Sequence, residues 1–211
     1  MREITRLKHL AVSLRDLMML PLEALQIEKG HNPRNYDLPE NRAHLQNLKE
    51  NIRIYGVQVP ILARFEVETR RGFIVDGECR FRACKELQDE GVEILSVPVI
   101  QVQGNDPATR LALTLTANTG KPLSKWEAGS AFQRLVNYGW DLPAIVAKLG
   151  FSERYIKEAL ELTDAPEAVK QLLSERAVTP ALALDHIRKS GTGAVLTLRA
   201  SAEAAKSNAN N

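Results

Sequence analysis

Apolar residues in the first hundred positions switch between two rhythms. In LPLEALQIE (20–28) they crowd together as in a strand, and the turn-rich KGHNPRNYDLPEN (29–41) follows. Leu45, Leu48, Ile52 and Tyr55 then recur at helical spacing until Gly56, and glycine commonly ends helices because it adopts the left-handed conformation easily. VPILARFEV (59–67) and GFIVD (72–76) read as two strands joined through TRRG. A helix covers about 77–90, and SVPVIQV (96–102) alternates as another strand. Residues 1–19 are weakly amphipathic and read as an N-terminal arm or a short helix.

After Asp106 only helical periodicity remains, punctuated by Gly and Pro, over 107–118, 124–138, 141–149, 152–162, 166–175 and 180–189. The expected fold class is therefore α+β. A mixed α/β domain spans 20–105, an all-helical domain spans 106–190, and a small, polar tail or linker spans 191–211.

Composition narrows the function. Lys and Arg number 28 against 26 Asp and Glu, a formal charge of +2, so a nucleic-acid partner would meet a local basic face, not a basic body. Aromatic residues make up only 5%, which argues against a single-strand binder that depends on base stacking. No apolar run approaches the roughly 20 residues of a membrane span, and the N-terminus lacks the apolar core and cleavage site of a signal peptide; the expected location is the cytoplasm. Cys79 and Cys84, five apart on one expected helix, project from different faces and read as reduced thiols. His31, a loop histidine beside Asn-Pro, reads as solvated, His9, His44 and His186 form no ligand cluster, Trp126 and Trp140 read as packing residues, and no Walker-type loop, zinc spacing or Ser-His-Asp order is present.

DLPAIVAKLGFSERYIKEALEL (141–162) carries the most local information. Asp141 is a suitable N-cap, Pro143 sits in the first turn where a missing N–H costs little, and Gly150 ends the helix. Ser152 then caps a second helix whose inward residues are Ile156, Ala159 and Leu160. This is the pattern of a helix-turn-helix whose second helix enters the major groove of duplex DNA, with Glu153, Arg154, Tyr155 and Lys157 near its exposed start. Arg154 is suited to fork onto a guanine edge, and Lys148 and Lys157 to neutralise phosphates. A plain pair of packed helices shares the pattern, and Val146 stands where a smaller residue is more usual.

In VDGECRFRACKEL (75–87) a bare glycine opens a helix directly after a strand. The first amides of a helix have no partners within it, and the helix dipole adds partial positive charge there. Gly77 lets a phosphate approach the backbone, Arg80 and Arg82 can fork onto its oxygens, and Glu78 can serve it through Mg²⁺. Asp76 offers the competing reading, a carboxylate capping the same amides.

Four segments, in order, resemble the ParB family of chromosome- and plasmid-partition proteins over roughly residues 20–190. HNPRNYD (31–37) is similar to the family's Asn-Pro…Arg box, and LQNLKENIRIYGVQVPILAR (45–64) to its helix followed by Gly-x-x-Gln-Pro. DGECRFRACKEL resembles the box Gly-Glu-Arg-Arg-x-Arg-Ala, and TANTGKPLSKWEAGSAF (116–132) resembles its Glu-Asn-x-x-Arg stretch. The resemblance implies a ParB/sulfiredoxin-type N-terminal domain that binds CTP with Mg²⁺ and closes a homodimer into a clamp on double-stranded DNA. It implies also a helix-turn-helix that reads a short palindromic site and a ParA-type ATPase as partner, in a nucleoid- or plasmid-associated protein. By the same resemblance Gly77, Glu78, Arg80 and Arg82 cradle the triphosphate, Arg34 and Lys121 join the nucleotide contacts, Asn118 holds phosphate or metal alongside Glu78, and Gln58 lies near the base.

The departures weigh on turnover. Ala117 stands where the family has Glu, Lys121 where it has Arg, and Cys79 where it has the first Arg of its box. Nucleotide binding is expected to survive these changes and hydrolysis to be weak or absent. The alternatives are a ParB-like nuclease or nucleoside triphosphatase, and a transcriptional repressor without a nucleotide ligand. The catalytic Cys of sulfiredoxin relatives would align with Glu78, so a reductase is not expected.

Overall fold

The computed structural model describes residues 17–103, 106–117, 121–193, 195–198 and 200. These fall into two compact units: one of the chain up to Lys29 together with Leu45 onward to 103, the other of Gly30–His44 together with Asp106 onward.

The first unit is built on a five-stranded sheet, in the order β1 (Leu17–Leu20), β5 (Val97–Gln101), β3 (Ile61–Glu66), β4 (Arg71–Asp76), β2 (Leu25–Ile27). β1 is antiparallel to β5, β5 parallel to β3, β3 antiparallel to β4, and β4 parallel to β2. LPLEALQIE is thus not the single strand its apolar crowding suggests. Pro21 has no N–H to give a ladder, and a 3-10 turn at Leu22–Ala24 carries the chain from one sheet edge to the other. Helices α1 (Pro39–Tyr55) and α2 (Glu78–Asp89) flank β3 and β4 in sequence. Leu45 and Ile52 of α1 and Phe81, Cys84 and Leu87 of α2 pack with Ile61, Ala63, Ile74, Val97 and Val99 of the sheet. α1 begins a turn and a half before its first periodic apolar residue, because Pro39 and Glu40 suit a helix start. Neither Cys79 nor Cys84 forms a disulfide, and burial pushes the Cys84 thiol up to about 11, which keeps it protonated.

Among its described residues the second unit has helices and no strand: α3 (Pro107–Ala117), α4 (Lys125–Asn137), α5 (Leu142–Leu149), α6 (Glu153–Thr163), α7 (Glu167–Ser174) and α8 (Pro180–Ser190). Ser124, Asp141, Ser152 and Thr179 each cap the helix that follows through a side-chain oxygen. Leu111, Leu115, Phe132, Leu135, Ile145 and Ile156 form one apolar cluster. Leu162, Val169, Leu184 and Leu198 centre a second. α4 packs tightly on α6 at Gly129, where a Cβ would collide with the backbone oxygen of Ala159 and lie 2.8 Å from its carbonyl carbon.

Residues 30–44 gather with these helices, whereas the sequence pattern groups them with the strands. His31 is buried, not solvated as expected of a loop histidine, and its Nε2 lies 2.9 Å from Thr114 Oγ1; Arg134 donates to the carbonyls of Gly30 and His31 at 2.6 and 2.8 Å, and the Asn35 amide donates to Glu127 at 2.8 Å. Such polar links between residues far apart in the chain leave no periodic trace. No described helix is long and apolar enough to cross a membrane.

Candidate functional site

β4 delivers the chain to Gly77, the N-cap of α2, at φ +97°. A side chain there is strained, and it would also meet Arg80, whose guanidinium lies 2.8 Å from the Cβ position. The cap makes no side-chain hydrogen bond. Arg80 Nη2 donates to Asp76 at the end of β4 at 2.6 Å, and Arg82 Nε donates to Glu78, one turn back on α2, at 2.7 Å. Asp76 therefore bears on the neighbouring guanidinium. Arg80 Nε is buried and, among the described residues, has no hydrogen-bond partner.

A glycine-opened helix start and a buried, unpartnered N–H on a cation fit a phosphate. No described group of three or more His, Cys, Asp or Glu could hold a metal by itself. A Mg²⁺ at Glu78 would draw its remaining ligands from phosphate and water, which is its habit. Gln58 lies in the same unit, its amide donating to the Tyr55 carbonyl.

Arg34 and Lys121 belong to the second unit. Arg34 is buried and donates to the Lys121 carbonyl at 2.5 Å and to Asn41 Oδ1 at 3.2 Å. Lys121 Nζ donates to the same Asn41 oxygen. Burial first, and then the Arg34 charge, lower the Lys121 pKa; burial, Arg34 and Lys121, in that order, lower that of His44. The organiser of this network is Glu127, which sequence reasoning passed over although Ser124-x-x-Glu127 has capping-box spacing. Glu127 accepts from the Asn35 amide, Asn41 Nδ2, the Ser124 amide and Ser124 Oγ, each at 2.8 Å. Asn118 lies outside the described residues.

The turn between α5 and α6 follows the expectation from residues 141–162. Gly150 ends α5 at φ +75°, and Ser152 Oγ accepts from the Tyr155 amide at 3.2 Å. The side chains of Arg154 and Lys157 are 86% and 61% exposed. Lys157 pairs with Glu153 at 2.6 Å, and Lys148 lies over the Trp140 ring, 4.9 Å from its centroid. Tyr155 departs from the expected exposed set. Its ring stacks on Phe151 with centroids 5.3 Å apart and meets Phe132 edge-on, so it serves the core.

Glu158, absent from the sequence candidates, accepts from Arg154 at 2.9 Å and Lys125 at 2.7 Å. The hydrogen bond from Lys125, then that from Arg154, hold its pKa at about 2, below the ordinary 4.5. A depressed carboxyl pKa adds stability that is complete above the ordinary value and lost as pH falls through the folded one. The parent should therefore lose more melting temperature between pH 4.5 and pH 2 than Glu158→Gln does, and parallel melting curves would contradict this.

The family model of the ParB N-terminal domain matches residues 8–119, more than half the chain. The chain belongs to this family. A nucleoid occlusion protein of Bacillus cereus (strain AH187) is 30% identical over 138 residues, which cover 65% of this chain and 46% of that protein. The chain thus matches a little less than half the length of this relative. The C-terminally truncated chromosome-partitioning protein ParB of Caulobacter crescentus, solved in complex with the centromeric parS site, aligns with 89% of this chain and 92% of its own at 20% identity and a TM-score of 0.58. A Pnob8-like ParB-N domain aligns with 84% of this chain and 82% of its own, at 15% identity and a TM-score of 0.57. At these identities the likeness is one of fold: a mixed α/β ParB-type domain with helices after it.

Proposed function

We propose that this chain is a partition-type or related regulatory protein that binds duplex DNA through α5 and α6 and a CTP–Mg²⁺ ligand in its first unit, acting as a homodimer. The observation that carries this reading is the pair α5–α6, joined by a left-handed Gly150 and a Ser152 cap, with Arg154 and Lys157 exposed on the first turns of the second helix. A helix start so presented is what a major groove admits. The kinship of the Caulobacter fold, solved on its own DNA site, supports the same reading.

Toward nucleotide, Arg80 and the opening amides of α2 would hold phosphate oxygens, and Glu78 would hold Mg²⁺. The ligand would supply the charge that draws Arg80 from Asp76. Ala117 ends α3 with a methyl group where the family's Glu stands, so turnover is expected to be weak or absent. A second reading, a repressor without nucleotide, is favoured by the self-sufficiency of the corner, where Arg80 and Arg82 already have carboxylate partners.

One titration separates them. Binding to labelled random-sequence duplexes is followed at rising salt, alone and with CTP, ATP or GTP plus Mg²⁺. Affinity should fall with salt as phosphate contacts release counterions, and CTP alone among the nucleotides should change it. Arg80→Ala should retain DNA binding and lose the CTP response. A response undiminished in Arg80→Ala would remove the phosphate role, and no response in the parent would leave the repressor.

A further inference from the structure

We propose that Glu158 is a positioning residue that presents Arg154 to a guanine edge, an inference that rests on α6 being the duplex-reading helix. Arg154 and Glu158 lie one turn apart on α6, and Arg154 Nε donates to Glu158 Oε1 at 2.9 Å. Contact through Nε leaves Nη1 and Nη2 as an outward pair, the fork that matches the O6 and N7 acceptors of guanine. The guanidinium is in reach of such a partner, because its side chain is 86% exposed while that of Glu158 is 13% exposed.

The carboxylate is itself held from the other side. Its Oε2 accepts from Lys125 Nζ of α4 at 2.7 Å, and Lys125 lies 5.2 Å from the centroid of the Tyr155 ring, which stacks on Phe151. A chain of contacts therefore runs from the apolar core through Tyr155, Lys125 and Glu158 to Arg154. It fixes a long side chain that would otherwise lose rotamer freedom on binding. Lys125 also compensates the Glu158 charge, so a carboxylate on the reading face does not repel the DNA backbone. Lys157 offers the contrast within the same helix. Its partner Glu153 is 60% exposed, so that pair is an ordinary solvated one. Glu153, Arg154, Lys157, Glu158 and Arg188 together line one open groove, where Arg188 is held in turn by Glu161 at 2.8 Å.

The test is enrichment of the full chain on a random duplex library, followed by competition among single-base variants of the enriched site. The parent should enrich a guanine at one position, and Arg154→Ala should lose that preference. Glu158→Gln should reduce the same preference by about five- to tenfold, within the range one bidentate base contact provides, and leave affinity for a scrambled duplex within about twofold. A purely structural role would weaken all sequences alike. Lys125→Met, which leaves the Arg154–Glu158 pair and removes its anchor, should lose part of the preference at that position and gives the readout should Glu158→Gln not fold. If Arg154→Ala loses the guanine while the Glu158 and Lys125 variants keep it, the positioning role is wrong and the reading helix stands. If the parent enriches nothing, both fall.

Discussion

Gly129→Ala is expected to destabilise the helical unit by about 3 kcal/mol or more, or to unfold it, because overpacking against fixed backbone lies at the costly end of core substitutions. Gly129 sits in the middle of α4 with no unusual backbone angle. In an isolated helix the change would stabilise by about 1 kcal/mol, since glycine is the poorer helix former. Here the sign reverses. The added methyl would overlap the Ala159 carbonyl oxygen and Thr163 Oγ1, and would stand 2.8 Å from the Ala159 carbonyl carbon. Thr163 could rotate away, at the loss of its 3.1 Å hydrogen bond to Ala159. The carbonyl cannot, because it belongs to the backbone of α6. The helices must therefore separate, and Phe132, Leu135, Ile156 and Ala159 lose packing with them. Denaturant unfolding checks this, with Ser130→Ala on the same helix as a control expected within about 0.5 kcal/mol of the parent. A Gly129→Ala protein as stable as the parent would show that α4 and α6 do not approach this closely.

The helices from α3 to α8 were legible almost to the residue from their period and the Gly and Pro between them, and at α5 and α6 the ends are also written in local chemistry, with Asp141 and Ser152 capping the starts and Gly150 closing α5. LPLEALQIE was misread for an equally local reason, since apolar crowding outweighed one proline at position 21. The placement of residues 30–44 could not be read. It is decided by contacts such as that of Asn35 with Glu127, ninety-two positions apart, and polar long-range contacts carry no period. At the corner after β4 the chemistry was visible as spacing, because Asp76–Arg80 and Glu78–Arg82 are each four apart, the second pair on one turn of α2 and the first bridging from the end of β4 into it. Whether these carboxylates restrain the arginines or leave them to a ligand is a matter of geometry. Tyr155 is expected near the exposed start of the second helix with Glu153, Arg154 and Lys157; its ring turns instead to Phe151, across a turn whose path the sequence does not state. Glu158 shows the reverse failure. Its spacing from Arg154 was in plain view, while Lys125, which makes the pair more than a surface one, is thirty-three residues away.

Those long-range polar contacts also carry the second large effect. Glu127→Ala should cost about 3–5 kcal/mol, as expected when one member of a buried charged network is removed. The side chain is buried, with residue exposure of 3%, and its two oxygens accept four hydrogen bonds, from the Asn35 amide, Asn41 Nδ2, the Ser124 amide and Ser124 Oγ. Truncation removes the capping box, about 1 kcal/mol by itself. It also strands the Asn35 and Ser124 amides, each an unsatisfied donor costing about 1–3 kcal/mol if buried. The remainder is electrostatic. Glu127 raises the pKa of Lys121 against the lowering by burial and by Arg34, so its loss leaves two nearby cations with less compensation. Glu127→Gln restores volume and one acceptor, but turns an NH₂ toward donors, and should recover only part of the loss. The network reading makes a sharper demand than the size of either change. Arg34→Met should cost less in the Glu127→Ala background than in the parent, by about 1 kcal/mol or more, the coupling expected of side chains in one polar network. Additive losses in that cycle would mean that Glu127 acts as a helix cap alone and that the Asn-Pro-Arg box is held to the helices by something else.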